Sequence, residues 1–120
     1  MGGNFETHYH GTTVDRLVGI VSEGTLPMYR PDTGLTGAWT TRLIEKSLKH
    51  ARERGEERGG IEPVVLEYNL PVWWIRENND RKAVDSMGYD NNVHCFKALI
   101  PQEYFVQRIY PNRHVPINRV

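Results

Sequence analysis

The feature that most limits the fold of this chain is a short segment at residues 7–13, with the sequence Thr-His-Tyr-His-Gly-Thr-Thr. It is followed at once by apolar residues spaced as in an amphipathic helix, from Val14 to Val21. Thr12, with Asp15 three residues later, predicts the helix N-cap. A strand that passes through a glycine into a helix brings the first helical N–H groups, which lack intrahelical partners, close to a histidine. We therefore expect a binding site here, between the strand end and the helix start, for an amide or a phosphate group.

Length and composition narrow the class of protein. A chain of 120 residues predicts one domain, 1–120, in which 1–6 and 111–120 are loose termini. The 15 basic and 15 acidic side chains cancel, which argues against a general nucleic-acid binder with its usual basic excess. The single cysteine, Cys95, excludes an internal disulfide and fits a reducing compartment. Because no apolar run approaches the ~20 residues of a membrane span and no secretory signal pattern is visible, we expect a cytoplasmic protein without a membrane partner.

The pattern of apolar residues predicts a small α+β domain with two early helices. The first helix is expected at 13–23, where Gly24 ends it, and the second at 41–54. The nearly continuous apolar run at 63–70 is typical of a central strand. The other expected elements are strands at 7–10, 38–40, 93–100 and 103–110, a loop at 25–37, a solvated polar run at 52–60, a short strand or turn at 72–75 and a brief helix near 81–87.

Residues 9–12 (Tyr-His-Gly-Thr), followed by a helix and then by residues 20–24 (Ile-Val-Ser-Glu-Gly), resemble the first motif of a known family. That family is the ADP-ribosyltransferases of the diphtheria-toxin and poly(ADP-ribose)-polymerase type. The resemblance implies a fold of two short packed β-sheets around an NAD cleft. It also implies that His10 binds the adenosine ribose, that the backbone of Gly11 holds the nicotinamide amide, and that Thr12 belongs to the same NAD-binding strand end. A glycine suits this place because a Cβ would obstruct the approach of the backbone to a flat ligand.

A second motif follows in the order that the family expects. Residues 37–41 (Gly-Ala-Trp-Thr-Thr) are similar to the family's strand of a glycine, a tyrosine and a hydroxyl residue, and a helix comes next. The resemblance implies that Trp39 stacks on the nicotinamide ring and that Thr40 belongs to the NAD site. An indole stacks on a flat ring at least as well as a phenol ring, although it lacks the phenol hydroxyl. The alternative role for Trp39 is that of a core aromatic at the end of a strand.

The third motif supplies a carboxylate. Residues 103–106 (Glu-Tyr-Phe-Val) resemble the Glu-Tyr-Ile-Val segment of the polymerase branch. The resemblance implies that Glu103, with His10, is catalytic: it bonds the 2′-hydroxyl of the nicotinamide ribose and stabilises the charge that develops at C1′ as nicotinamide leaves. A carboxylate beside such an oxocarbenium-like centre lowers the barrier electrostatically. The alternatives are a solvated Glu103 before an edge strand, and Glu67 as the catalytic carboxylate.

Together the three motifs predict an enzyme that uses NAD as a substrate. It cleaves the nicotinamide–ribose bond and transfers ADP-ribose to a macromolecular acceptor, a protein in preference to nucleic acid, with NAD hydrolysis as a side activity. Such an enzyme acts in the cytoplasm of its own cell or, as a toxin or effector, in that of a target cell. Two alternatives remain open. One is an inactive module of the same fold that binds a nucleotide or a protein, which exposure of Trp73 and Trp74 would favour. The other is an RNA 2′-phosphotransferase, for which only Arg42 and Arg108 stand out as phosphate ligands.

No metal site is expected. The residues that a metal would use are His8 and His10 with His94 and His114, but no cysteine or carboxylate falls at a zinc-like spacing from them. A thiol nucleophile is not expected either, because Cys95 alternates within an apolar strand, as inert core cysteines do.

Overall fold

The computed structural model describes residues 3–30 and 34–113. The strands in these ranges are β1 Phe5–Thr13, β2 Met28–Arg30, β3 Leu35–Thr41, β4 Pro63–Pro71, β5 Val93–Phe96 and β6 Phe105–Ile109. The helices are α1 Leu17–Glu23, α2 Ile44–Glu57, α3 Val72–Asn78 and α4 Arg81–Ser86, and short 3₁₀ helices lie at Val14–Arg16 and Gln102–Tyr104.

The strands form one antiparallel sheet in the order β2-β3-β1-β4-β6, and β5 also pairs with β3. β1 pairs with β4 along all nine of its residues, from Phe5 opposite Pro71 to Thr13 opposite Pro63. The expectation of two short packed sheets is therefore corrected to a single six-stranded sheet in a small α+β domain. The reason is the length of β1, which is long enough to pair with a strand on each of its edges and so joins both sets of strands.

β1 is joined to β3 much less extensively than to β4. In the described part of the chain, the β1–β3 ladder is in register at one residue pair, Tyr9 with Thr41. Close to this pair, the carbonyl oxygen of Trp39 accepts a hydrogen bond from the imidazole Nδ1 of His10, at 2.7 Å. A side chain thus bridges the two strands where the backbone ladder ends.

The first helical segment begins one residue later than expected. Thr12 still belongs to β1, and Thr13 takes the N-cap position of the 3₁₀ helix without a side-chain bond to the helix backbone. The hydroxyl of Thr13 donates instead to the carboxylate of Asp15. Gly24 ends α1 as expected: its φ is 96°, which favours glycine, and its N–H donates to the carbonyl of Ile20 at 2.8 Å.

α2 packs against β1 and β4, and a glycine in β1 allows the close contact. A Cβ built on Gly11 would lie 2.6 Å from the carbonyl oxygen of Ser47 and 3.1 Å from the backbone nitrogen of Ala51. Gly11 is therefore required by helix packing, which is a different reason from the ligand approach that the sequence predicted. The buried side chains of the main core are Leu17, Ala38, Val64, Leu66, Tyr68, Leu70, Trp74, Ile75, Phe96 and Ile100.

The expectation of a strand or turn at residues 72–75 is wrong, because these residues begin helix α3. Two β-branched and two aromatic residues in a row favour a strand by propensity alone. Here Trp74 and Ile75 are buried in the core while Trp73 remains exposed. Burial of one face of a helix therefore overrides the local preference, as tertiary contacts commonly do.

The remaining elements appear with shifted bounds. β5 ends at Phe96 and not at Ile100, because Ile100 forms an isolated bridge with Thr25 outside the strand. The last strand begins at Phe105, after the 3₁₀ helix. The strand expected at 63–70 and the helix expected near 81–87 correspond to β4 and α4, and α2 continues to Glu57.

Both expected loose termini are partly within the described residues. Phe5 and Glu6 are the first two residues of β1, and residues 111–113 follow β6. Residues 114–120 lie outside the described part. Among the described helices, none is long and apolar enough to cross a membrane.

Candidate functional site

A cavity of about 880 Å³ lies between β1, β3, α1 and α2. Its volume is within the range of about 300–1,000 Å³ that is usual for small-molecule and cofactor sites. The loop before β2 and the turn before β5 complete its wall. It is therefore large enough to hold a ligand of nucleotide size.

Five of the six site residues named from the sequence line this one cavity. They are His10, Gly11, Thr12, Trp39 and Thr40. The first three lie at the end of β1 and the other two in β3, so the site depends on the place where these strands part. The structure thus brings together the residues of the first two motifs.

His10 is held in one tautomer by the backbone. Its Nδ1 lies 2.7 Å from the carbonyl oxygen of Trp39, which can only accept, so Nδ1 carries the proton and Nε2 is an acceptor. Burial lowers the pKa of His10; the bond to the carbonyl opposes this shift, and the nearby Arg54 and Arg16 guanidinium groups add to it. His10 is therefore neutral at pH 7, and Nε2 is able to accept a hydrogen bond from a ligand hydroxyl.

Trp39 is a half-buried aromatic in the cavity wall. Its ring packs edge-on against Tyr89, with 5.6 Å between the centroids and 83° between the planes. The indole Nε1 is buried and has no hydrogen-bond partner among the described residues, and the ring also packs against the buried cluster of Ala83, Val84 and Cys95. Buried indole N–H groups usually have a partner, so this one is unusual.

Ser47 is a cavity residue that sequence reasoning missed. It lies in α2, is 2% exposed, and its hydroxyl has no hydrogen-bond partner in the described part of the chain. The close packing of Gly11 on the Ser47 backbone holds this part of α2 beside the end of β1. The available signal was a serine on the otherwise apolar stripe of the predicted helix, next to Leu48.

The charged side chains in the wall favour an anionic ligand. The only two carboxylates among the described lining residues are those of Glu23 and Asp90. Four basic side chains outnumber them, although Arg58 pairs with Asp15 at 2.9 Å and Arg54 with Glu57 at 3.6 Å. A phosphate or diphosphate group would complement the positive charge of this wall. These four are Arg16, Lys46, Arg54 and Arg58. Arg42 and Arg108, which the sequence singled out as phosphate ligands, are not in the wall.

Glu103 is not brought to the cavity. It is exposed, lies in the 3₁₀ helix before β6, and is not a lining residue. β6 pairs with β4, on the side of β1 that faces away from β3. Glu103 is thus not a lining residue, although its 3₁₀ helix contacts α1, which forms part of the cavity wall. A catalytic role for Glu103 therefore stays a prediction.

The rival carboxylate, Glu67, lies on the same far side. It is on β4, and its Oε1 accepts a hydrogen bond from Nε2 of Gln107 at 3.1 Å. Asp90 is placed differently, because it lines the cavity and follows Tyr89, whose ring contacts Trp39. The wall thus contains a carboxylate next to Tyr89 in the sequence, which is exposed and comes from the turn before β5 and not from residues 103–106.

A second group of polar side chains lies beside the cavity. Oε1 of Glu6 is 3.1 Å from Nε2 of His8, and the His8 and His94 ring centroids are 4.6 Å apart. Glu6 is therefore the carboxylate near the histidines that the sequence spacing did not reveal. Burial lowers the pKa of His8 to about 4 and also lowers that of His94. His10 does not belong to this group, and His114 lies outside the described residues.

Cys95 is fully buried in β5. Burial, with a smaller effect from Asp80, raises the pKa of the Cys95 thiol to about 11. The thiol is thus protonated and inaccessible at neutral pH, which are properties of an inert core cysteine.

No protein-family model matches the chain, and no curated protein matches it in sequence. Its function is therefore inferred from the geometry of the cavity and from the motifs.

Proposed function

We propose that this protein is an NAD-dependent ADP-ribosyltransferase with an ADP-ribosyltransferase-like fold. The observation that carries the proposal is the convergence of His10, Gly11 and Trp39 on one cavity, at the point where β1 and β3 part. These three residues belong to the two motifs that resemble the NAD site of the family. They lie 29 residues apart in the chain, counted from His10 to Trp39, so their meeting was not fixed by local sequence.

The polar atoms in the wall match the groups of NAD. The nicotinamide ring stacks on Trp39, and its amide is held by the backbone of Gly11 and the hydroxyl of Ser47, which has no partner in the protein. Nε2 of His10 accepts a hydrogen bond from a ribose hydroxyl. The basic side chains of the wall bind the diphosphate.

The chemistry requires a carboxylate near the nicotinamide ribose. As the C1′–N bond breaks, its electron pair leaves with nicotinamide and positive charge develops at C1′, where an acceptor nucleophile then bonds and loses its proton. Within the proposal we assign the stabilising carboxylate to Asp90, because it lines the cavity beside the Tyr89–Trp39 pair. Glu103 is also exposed, but it is not among the lining residues.

The acceptor in this proposal is a macromolecule, and a protein in preference to nucleic acid, since the balanced net charge gives no general affinity for nucleic acid. The cell compartment is the cytoplasm, either of the same cell or of a target cell reached as a toxin or effector. No metal takes part in the transfer.

The test is nicotinamide release from NAD by the purified protein, with and without a cell extract that supplies acceptors. The wild type is expected to release nicotinamide. Asp90→Asn should lower the rate by about 10²-fold, the scale of losing one well-placed electrostatic group, while NAD affinity stays within about threefold. Glu103→Gln is the matched control and should retain wild-type turnover. Loss of turnover in Glu103→Gln alone would return the catalytic role to that residue.

Two other functions each have one observation in their favour. The position of Glu103 away from the cavity favours an inactive nucleotide-binding module, which would bind NAD without releasing nicotinamide in any extract. The exposed Trp73 offers such a module one apolar contact, although Trp74 is buried. The basic wall favours an RNA 2′-phosphotransferase, which would consume NAD only when 2′-phosphorylated RNA is added.

A further inference from the structure

Three potential metal ligands meet at the edge of the sheet next to the cavity. Glu6 and His8 come from β1 and His94 from β5, the strands that lie on either side of β3. One ligand atom from each of the three residues can be chosen so that all lie within 4.8 Å of one another. Both histidines are buried, and Glu6 is partly exposed. This group has no role in the proposed transfer of ADP-ribose, and a role for it is independent of that proposal.

The three donors suit a borderline divalent cation. Two imidazole nitrogens and one carboxylate oxygen form a ligand set that proteins use for Zn²⁺ with an open fourth position. Ligand atoms about 2.0–2.2 Å from a tetrahedral zinc ion lie about 3.3 Å from each other. The Glu6–His8 pair is already at 3.1 Å. The ligand atom of His94 lies within 4.8 Å of the other two, and it would move closer to them on binding an ion.

The surroundings support the ligands in the way that metal sites require. Nδ1 of His8 lies 2.8 Å from the Thr40 hydroxyl, so that Nδ1 donates to Thr40 when Nε2 binds a metal. Nη1 of Arg42 lies 3.6 Å from Oε2 of Glu6, which orients the carboxylate and leaves Oε1 toward His8. The partial exposure of Glu6 gives an ion a route of entry.

His94 distinguishes a metal site from a simple hydrogen-bond chain. The chain Glu6–His8–Thr40 satisfies its own members without any contribution from His94. Yet His94 is only 8% exposed, and its Nδ1 is buried without a hydrogen bond of normal geometry to any described residue, although the backbone of Asn92 interacts with the ring. A buried nitrogen without a partner is unfavourable unless something else binds there.

We propose that Glu6, His8 and His94 form a binding site for Zn²⁺ or a similar first-row transition-metal ion. The ion joins β1 to β5 across β3. Because Thr40 also lines the large cavity, the metal fixes one wall of the ligand site through the His8–Thr40 hydrogen bond.

The test uses the full chain, freed of metal with a chelator, and titrates it with ZnCl₂ by calorimetry and with CoCl₂ by absorbance. We expect one ion to bind per chain. Bound Co²⁺ should show the d–d bands of four- or five-coordinate cobalt, and these bands should disappear when Zn²⁺ displaces the Co²⁺. Glu6→Gln should weaken Zn²⁺ binding at least tenfold, whereas Glu53→Gln, an exposed carboxylate in α2, should leave it unchanged. Glu6 is chosen because its side chain is 32% exposed, so the variant is expected to fold.

A second variant pair examines the imidazole ligands. His94→Asn should abolish the Co²⁺ bands, and His50→Asn, a histidine of α2, should retain them. Circular dichroism tests whether each variant is folded. If His94→Asn is not folded, the comparison of Glu6→Gln with Glu53→Gln decides whether the metal site exists. Absence of stoichiometric binding by the wild type, or equal binding by wild type and Glu6→Gln, would overturn the proposal. Neither measurement involves NAD, so failure here is separate from failure of the proposed function.

Discussion

The sheet has two sides that differ in how their polar side chains are satisfied. On the β3–β5 side and in the adjoining α2, three buried polar atoms among the described residues lack a hydrogen-bond partner: Nε1 of Trp39, Oγ of Ser47 and Nδ1 of His94. On the β4–β6 side, Gln107 donates to Glu67, and the Arg113 guanidinium pairs with Glu62 just beyond the strands. We call these the cavity side and the outer side.

This difference in hydrogen bonding distinguishes polar groups that can bind a ligand from polar groups that stabilise the fold. A buried polar group without a partner costs about 1–3 kcal/mol, so such groups persist where a ligand or an ion satisfies them. On the outer side, β4 contributes the fully buried Val64, Leu66, Tyr68 and Leu70 to the core, and its partly exposed Glu67 is paired with Gln107. Substitutions on the outer side should therefore act on folding, and those on the cavity side on ligand binding.

The largest effect is expected from a core truncation on the outer side. Leu66→Ala removes a fully buried side chain from β4 and should lower the free energy of unfolding by about 2–5 kcal/mol, through lost burial and the cavity left behind. Urea unfolding followed by circular dichroism measures the change. NAD affinity of the remaining folded protein should equal that of the wild type. A loss below about 1 kcal/mol would show that β4 is not the structural side of the sheet.

A matched pair of tryptophans tests the cavity side. Trp39→Ala removes the aromatic wall and should weaken NAD binding about tenfold or more, which reduces the thermal stabilisation by added NAD. Trp73→Ala removes an exposed tryptophan, 54% accessible, from α3 and should bind NAD like the wild type. Equal stabilisation of both variants by NAD would place the ligand outside this cavity.

The smallest effect is expected from Ser47→Ala, for which the direction of the change in unfolding free energy is informative. Ser47→Ala removes a buried hydroxyl that has no partner in the protein. Because alanine is also the better helix former, the free energy of unfolding should stay the same or rise by up to about 1 kcal/mol. NAD binding should nevertheless weaken about three- to tenfold, the worth of one hydrogen bond. Loss of stability without loss of affinity would mean that Ser47 serves folding only.

Local patterns predicted the elements of the cavity side well. The order of strand, glycine and helix at His10 and Gly11, and the stop at Gly24, depend on short-range chemistry that a sequence displays. The place of Glu103 depends on which edge of the sheet the last strand joins, and that is decided by pairing with β4, distant in the chain. The sequence around a carboxylate at the start of a strand does not show which edge of the sheet that strand joins.

The proposed ligand Glu6 and the cavity residue Ser47 were not predicted from the sequence, for related reasons. Glu6 and His8 stand two positions apart on β1, but their third partner, His94, arrives only through the pairing of β5 with β3. Zinc-like spacing rules describe ligands from one loop or one helix and do not apply to ligands from two strands that are distant in the chain. Ser47 shares a stripe of the predicted helix with apolar residues, and a helix pattern shows which residues are buried but not which of them lack a partner.

The hydrogen bond from His10 to the Trp39 carbonyl also bears on self-association. Where two strands part, the backbone groups left behind form an edge to which a strand of another chain can add. The imidazole bonds the Trp39 carbonyl at 2.7 Å and stands between the strands. The His10 side chain thus hinders the addition of another strand in the gap between β1 and β3, while the gap stays open to a small ligand. One side chain thereby covers the carbonyl that the incomplete ladder would otherwise leave open to pairing with another chain.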